Sequence, residues 1–192
     1  MKKQKIIRYL QSIIAIPMLA VAMPLSGVSS ILDQTIIPLS VTEENSAITT
    51  QEEVNRKQKA DLIDSFFKKN NAPLEGYGMK FVLEAEKNNL DWRLLPSIAM
   101  RETTGGKFSC KNPKAPNNNF GWGSCKIGFE SVDQSIEFIS MTLSGNNPNS
   151  KYYKTGMTTE QILKKYNPDH IIPGYSKQVM KIMEMINLTS EI

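Results

Sequence analysis

Three features of the chain predict a mainly α-helical fold of about six helices around one core. Apolar residues recur at three- and four-residue spacing in one stretch after another, as a turn of 3.6 residues requires. No alternation of apolar and polar residues runs long enough to build a sheet, and no internal repeat is present. About 140 residues follow a polar lead, enough for one domain with a real core.

The first element in order is a leader. Lys2, Lys3, Lys5 and Arg8 precede an apolar stretch from Ile13 to Leu25, and small residues follow at Ser26, Gly27, Ser29 and Ser30. Residues 1–30 therefore read as a secretory signal peptide, and a secreted or cell-wall location is expected. The apolar stretch is shorter than the roughly 20 residues a bilayer span needs and holds Pro17 and Pro24, so no stable membrane anchor is expected once it is removed. Residues 31–55 contain Pro38 and a Ser/Thr/Glu-rich end and read as a linker, which leaves 56–192 as the folded domain.

Helical periodicity then accounts for the rest. The segment from Glu52 to Lys69 places Leu62, Ile63, Phe66 and Phe67 on one face, and Asn70, Asn71 and Pro73 end it. A second helix, Leu74 to Asn88, turns Phe81, Val82 and Ala85 inward and stops at Asn88 and Asn89. Asp91 is placed to cap a third helix, in which Pro96 forces either a kink or a start at the proline itself. Ser131 and Gln134 form a capping box at the head of a fourth helix, whose Val132, Ile136, Ile139 and Leu143 face the core before Gly145 stops it. Thr158 and Gln161 repeat that box for a fifth helix, Thr158 to Lys165. The last, Tyr175 to Ile186, carries Val179, Ile182, Met183 and Ile186 on one stripe.

Chemistry concentrates between the third and fourth helices. Glu102 ends the third helix on the same face as Leu95 and Ile98 or Ala99, where desolvation raises the pKa of a carboxyl and suits it to general-acid work. A surface acid paired with a lysine fits the same spacing. Gly105 and Gly106 stop the helix directly after it, and Asn117, Asn118, Asn119, Phe120, Gly121, Trp122 and Gly123 follow. Amides beside aromatic faces match sugar rings bearing hydroxyl and acetamido groups; an Asn/Gly turn with a Trp covering the core is the plainer reading. The two cysteines, Cys110 and Cys125, bracket this loop, and with an export signal they predict one disulfide, worth roughly 3 kcal/mol in the chain-entropy picture. With the single His170 far downstream, no metal site and no cofactor are expected.

The segments RETTGGK (residues 101–107), NNNFGWGS (117–124) and GFESVDQSIEFI (128–139) resemble the lysozyme-like superfamily of peptidoglycan-cleaving enzymes. They are most similar to family 73 type endo-β-N-acetylglucosaminidases, with goose-type lysozymes and lytic transglycosylases nearby. The resemblance spans residues 77–186 and implies a lysozyme-like domain. It makes Glu102 the catalytic acid, followed as in that family by a Ser or Thr, here Thr103, and it puts Asn119, Phe120 and Gly121, with Trp122 beside them, along the sugar cleft. Tyr152, with Tyr153, matches a tyrosine pair of that family; Tyr166 matches its tyrosine- and aspartate-containing turn; Tyr175 opens the last helix as in those proteins. For each tyrosine a sugar contact and a buried ring with its hydroxyl at the edge remain alternatives. The span from Trp122 to Ser131 is too short for the β-hairpin lobe that carries a second acid in some of these enzymes. Glu130, Asp133 and Asp169 lie in the right neighbourhood, none with a signature of its own.

Charge narrows the partners. Of the 23 Lys and Arg and 19 Asp and Glu, four bases and no acid fall in the leader, so the remainder balances at 19 of each. Five of those acids precede residue 55 with no base among them, which leaves a modestly cationic domain suited to a polyanionic cell wall. Secretion and the lack of a basic helix with interleaved aromatics argue against nucleic acid. The expectation is a monomeric, secreted peptidoglycan hydrolase of glucosaminidase type acting on the alternating GlcNAc-MurNAc glycan. Its competitors are a muramidase or lytic transglycosylase, a non-catalytic wall-binding module, and a secreted helical interaction domain.

Overall fold

The computed structural model describes residues 40–188, with side chains from residue 50 onward. The expected leader, residues 1–30, lies outside the described residues, as do 31–39 of the expected linker. Six α-helices and one short 3-10 turn make up the described chain, and no strand occurs among these residues. The helices are α1 (Ser40–Lys69), α2 (Gly78–Lys87), α3 (Leu94–Thr103), α4 (Val132–Leu143), α5 (Thr159–Tyr166) and α6 (Tyr175–Asn187).

Helix α3 is buried along its first six residues, Leu94 to Ala99, of which only Ser97 is polar. Such a helix needs partners on several sides. It packs on α6 and α2, while α1 crosses α2 and α6, α4 lies on α2, and α5 lies on α6. Ile63, Phe67, Phe81, Ile98, Ile136 and Val179 meet at the centre with essentially no exposure. Each contributes about 1.5–3 kcal/mol through apolar burial. At the α1–α2 crossing a Cβ on Gly78 would sit 2.2 Å from the Ala60 carbonyl oxygen, so only glycine permits this approach. The same contact is fixed by Asp64 on α1, whose Oδ1 accepts from the N–H groups of Gly76 and Gly78 at 2.8 and 2.9 Å.

Several boundaries differ from those expected, each for a local reason. Helix α1 begins at Ser40 rather than Glu52, so residues 40–55 of the expected linker are helical. They are rich in Glu, Thr, Ser and Asn, and from Thr50 to Asn55 they are exposed. Its described part is steadied by weak pairs such as Glu52 with Arg56 at 3.7 Å. Helix α2 begins at Gly78, after Leu74 has been buried by a preceding turn. Pro96 neither kinks α3 nor starts it. It is the third residue of the helix, where its missing N–H has no intrahelical partner to lose. Asp91 is not the residue at the helix boundary, which is Arg93; it acts two residues earlier, accepting from the Arg93 N–H at 2.9 Å and holding the Arg93 guanidinium at 2.6 Å.

The two capping boxes separate. Thr158 and Gln161 form the full reciprocal pair on α5. On α4, Ser131 accepts from the Gln134 N–H, but the Gln134 side chain reaches past it to accept from Glu130 N–H at 2.7 Å. Asn71 and Asn89 end α1 and α2 in the left-handed conformation that asparagine tolerates.

Candidate functional site

Glu102 stands in the last turn of α3, partly exposed above the buried Leu95, Ile98 and Ala99. The residue that stops the helix is Thr104, left-handed at φ 53°, ahead of Gly105 at 63° and Gly106 at 97°. A β-branched residue in that region stores strain, and it does so two residues from the candidate acid. Thr103 points inward: it is buried, its hydroxyl lies 2.7 Å from the Asn119 carbonyl oxygen, and it accepts from Gly106 N–H at 2.9 Å. The end of α3 is thereby tied to the loop that follows.

That loop is built on Asn118. Fully buried, it donates from Nδ2 to the carbonyls of Trp122 and Ile127, both at 2.8 Å, and accepts on Oδ1 from Trp122 N–H at 2.9 Å. Asn119 is buried beside it and accepts on Oδ1 from the Ser109 hydroxyl. Around these anchors the backbone turns left-handed at Gly121, Gly123, Ser124 and Cys125. The Cys110–Cys125 disulfide, with Cα atoms 5.4 Å apart, closes the loop as expected.

A cavity of about 670 Å3 opens beside Glu102, a size ordinary for ligand sites. Of the residues expected at a sugar cleft, Glu102, Gly121, Trp122, Tyr152 and Tyr166 line it. Thr103, Asn119, Phe120 and Tyr175 do not: all four are buried, and they hold the wall from behind. Phe120, with no exposure, belongs to the core, and its carbonyl accepts from the Tyr166 hydroxyl at 2.6 Å. The Tyr166 ring stacks on Tyr175 with centroids 6.0 Å apart and planes 5° from parallel, and the Trp122 ring lies 5.8 Å from Tyr166, tilted by 51°.

Tyr175 donates from Oη to Glu102 Oε1 at 2.6 Å. Gly121 sits against the other oxygen, close enough that a Cβ there would lie 3.2 Å from Oε2. One carboxylate oxygen is thus engaged by a buried phenol, and Oε2 faces the glycine in the cavity wall. Oε1 is already accepting, which leaves Oε2 as the oxygen without a protein hydrogen-bond partner among the described residues. Burial first, and the Glu102 charge second, push the phenols of Tyr166 and Tyr175 far above their ordinary value. Burial does the same to Tyr153, which also lines the cavity. The Tyr166 and Tyr175 hydroxyls therefore keep the protons they donate well above neutral pH.

Among the residues lining the cavity, Glu102 is the one carboxylate. Glu130 and Asp133 are exposed at the head of α4, and Asp169 is exposed with its Oδ1 accepting from Gly174 N–H at 3.2 Å. No group of three or more His, Cys, Asp or Glu suited to a metal occurs among the described residues, and no helix among them is long and apolar enough to cross a membrane.

Two features escaped the sequence reading. Lys165 lines the cavity beside Tyr152; only the spacing of α5 could have pointed to it. Lys111 and Lys114 on the disulfide loop, with Lys107 and Lys126 flanking it, are all exposed, and none forms an ion pair among the described residues. That pattern was visible as four bases and no acid between Glu102 and Glu130. No protein-family model, curated protein or solved structure matches the chain.

Proposed function

We propose that the protein is a secreted peptidoglycan hydrolase of lysozyme-like, endo-β-N-acetylglucosaminidase type, cleaving β-1,4 bonds of the GlcNAc-MurNAc glycan with Glu102 as its general acid. One observation carries the reading. A single carboxylate, gripped on Oε1 by Tyr175 and presenting Oε2 beside Gly121, opens on a cavity walled by Trp122, Tyr152 and Tyr166. Aromatic faces supply the flat apolar surfaces that sugar rings stack on, and the exposed lysines within and flanking the disulfide loop favour a polyanionic wall.

The chemistry follows from the count of acids. Glycoside hydrolysis commonly uses two carboxyls, about 5 Å apart for retention and farther apart for inversion. With one, the second nucleophile comes from the substrate. Glu102 Oε2 gives its proton to the glycosidic oxygen as the C1–O bond breaks, and the acetamido oxygen of the same sugar closes on C1. Water then adds at C1, the ring opens, and Glu102 takes the proton of that water, restoring the starting state. Attack by the 6-hydroxyl instead of the acetamido oxygen gives a 1,6-anhydro end with Glu102 in the same two roles.

The test is mass spectrometry of soluble fragments after purified protein is incubated with peptidoglycan. Reducing GlcNAc ends are expected. Reducing or anhydro MurNAc ends would move the activity to the muramidase or transglycosylase side. Glu102→Gln should retain the helical circular dichroism spectrum and release nothing; full activity in that variant sinks the reading. Binding to the wall with no fragments from the unaltered, folded protein would make it a binding module.

A further inference from the structure

Among the residues lining the cavity, Lys165 is the one cation. Its neighbour Lys164 is spent on Glu160 at 2.7 Å, whereas Lys165 has no carboxylate partner among the described residues. Its head is nonetheless held in place. Nζ lies 4.3 Å from the centroid of the Tyr152 ring and donates to the Tyr152 carbonyl, and the Tyr152 hydroxyl returns a bond to the Lys165 carbonyl at 3.1 Å. A lysine free in solvent keeps its rotamer entropy, worth up to about 2 kcal/mol, so a clasp from both sides prepares the charge for use. Tyr152 itself is 54% exposed, and its ring presents Lys165 at the cavity.

Resting on the glycan-cleaving reading above, we propose that Lys165 pairs with a carboxylate carried by the muramic acid residue of the substrate, and that Tyr152 is the positioning residue that aims it. The backbone sugars of peptidoglycan and of chitin carry the same hydroxyl and acetamido groups. They differ in the lactyl arm of muramic acid, which ends in a carboxylate when bare and in a peptide with its own carboxylates when substituted. A cation in a cleft whose other lining residues, Glu102 apart, are uncharged selects between them.

The experiment uses protein carrying Glu102→Gln, which binds without turnover, and follows tryptophan fluorescence, Trp122 being in the cavity wall. Three ligands are titrated: a neutral GlcNAc oligomer, a peptide-free GlcNAc-MurNAc oligomer of equal length, and its peptide-bearing form. The charged glycans should bind about fivefold tighter than the neutral one at low salt, the size of one partly exposed ion pair, and the ratio should fall toward one in high salt. Adding Lys165→Gln should remove the ratio and Lys165→Arg should retain it. A ratio present with the bare oligomer assigns the carboxylate to the lactyl arm; one present only with peptide assigns it to the peptide. An unchanged ratio in Lys165→Gln, or an equal loss for charged and neutral ligands, overturns the proposal while leaving the glycan reading intact. Failure of all three ligands to bind overturns both.

Discussion

Tyr175→Phe isolates the contact that most directly orders the site. The substitution deletes one oxygen and leaves the ring, so the stack on Tyr166 at 6.0 Å and the Arg101 guanidinium at 5.8 Å from the ring centre are preserved. What disappears is the 2.6 Å bond to Glu102 Oε1. A hydrogen bond to a charged group contributes about 1.5–3 kcal/mol, but Glu102 is partly open to water, which replaces some of the loss, so the cost to folding is about 1 kcal/mol. For a domain of this size that is a fall of about 2–4 °C in Tm. The effect on catalysis is larger. Without the phenol both carboxyl oxygens compete for the proton and the side chain is free to leave its rotamer, so kcat should fall about 10- to 100-fold, or about 1.4–2.8 kcal/mol of barrier, with KM little changed. Initial rates on solubilised glycan and a thermal melt measure the two effects separately. A variant with undiminished kcat would refute the argument that Tyr175 fixes which oxygen carries the proton.

The other predictions concern the wall, the loop and the buried phenols. Gly121→Ala places a methyl 3.2 Å from Glu102 Oε2 on a residue at φ 63°; a stability loss of about 1–2 kcal/mol and at least a tenfold loss of cleavage are expected, measured by urea melts and fragment release. Replacing Cys110 and Cys125 together by serine should cost about 3 kcal/mol in denaturant unfolding and weaken activity, since Trp122 sits inside the closed loop; an unaltered midpoint would mean the loop is held by Asn118 alone. Tyr153, Tyr166 and Tyr175 have folded values raised above their unfolded value near 10, so the stability they contribute is fully present below that pH and is lost as pH rises beyond it. Each favours the unfolded chain by about 1.4 kcal/mol per pH unit there, and phenolate absorbance should show three tyrosines ionising only with a cooperative alkaline unfolding. Independent titration of all tyrosines in the folded state would contradict their burial.

The parts of this fold written in local signals were legible in advance. Thr158 with Gln161 marks α5 because the box is satisfied within four residues, and the stripe Ile136, Ile139, Leu143 marks α4 because one face of that helix is buried. The start of α1 was not legible, since its described residues Thr50 to Asn55 are exposed and impose no period. In the site, Glu102 could be picked out from its greasy helix and glycine stop. Phe120, expected along the cleft, falls in the core instead, because left-handed turns at Asn117 and Gly121 on either side of it decide which way the ring falls. Nor does any spacing reveal that Tyr175 reaches Glu102 or that Tyr166 reaches the Phe120 carbonyl. Those bonds span 73 and 46 residues and exist only once the helices have packed.

The long span of the first of these bonds has a consequence in time. Synthesis runs from the amino end, so a growing chain acquires the acid on α3, then the disulfide loop that walls the cleft, and only with α6 the phenol that grips Oε1. Until Tyr175 has been made and docked, the nascent polypeptide carries a carboxyl whose two oxygens are equivalent and whose supporting helix lacks its main packing partner. An unfinished copy, or one clipped ahead of α6, holds Glu102 without the bond that orders it; completion of the last helix supplies that bond.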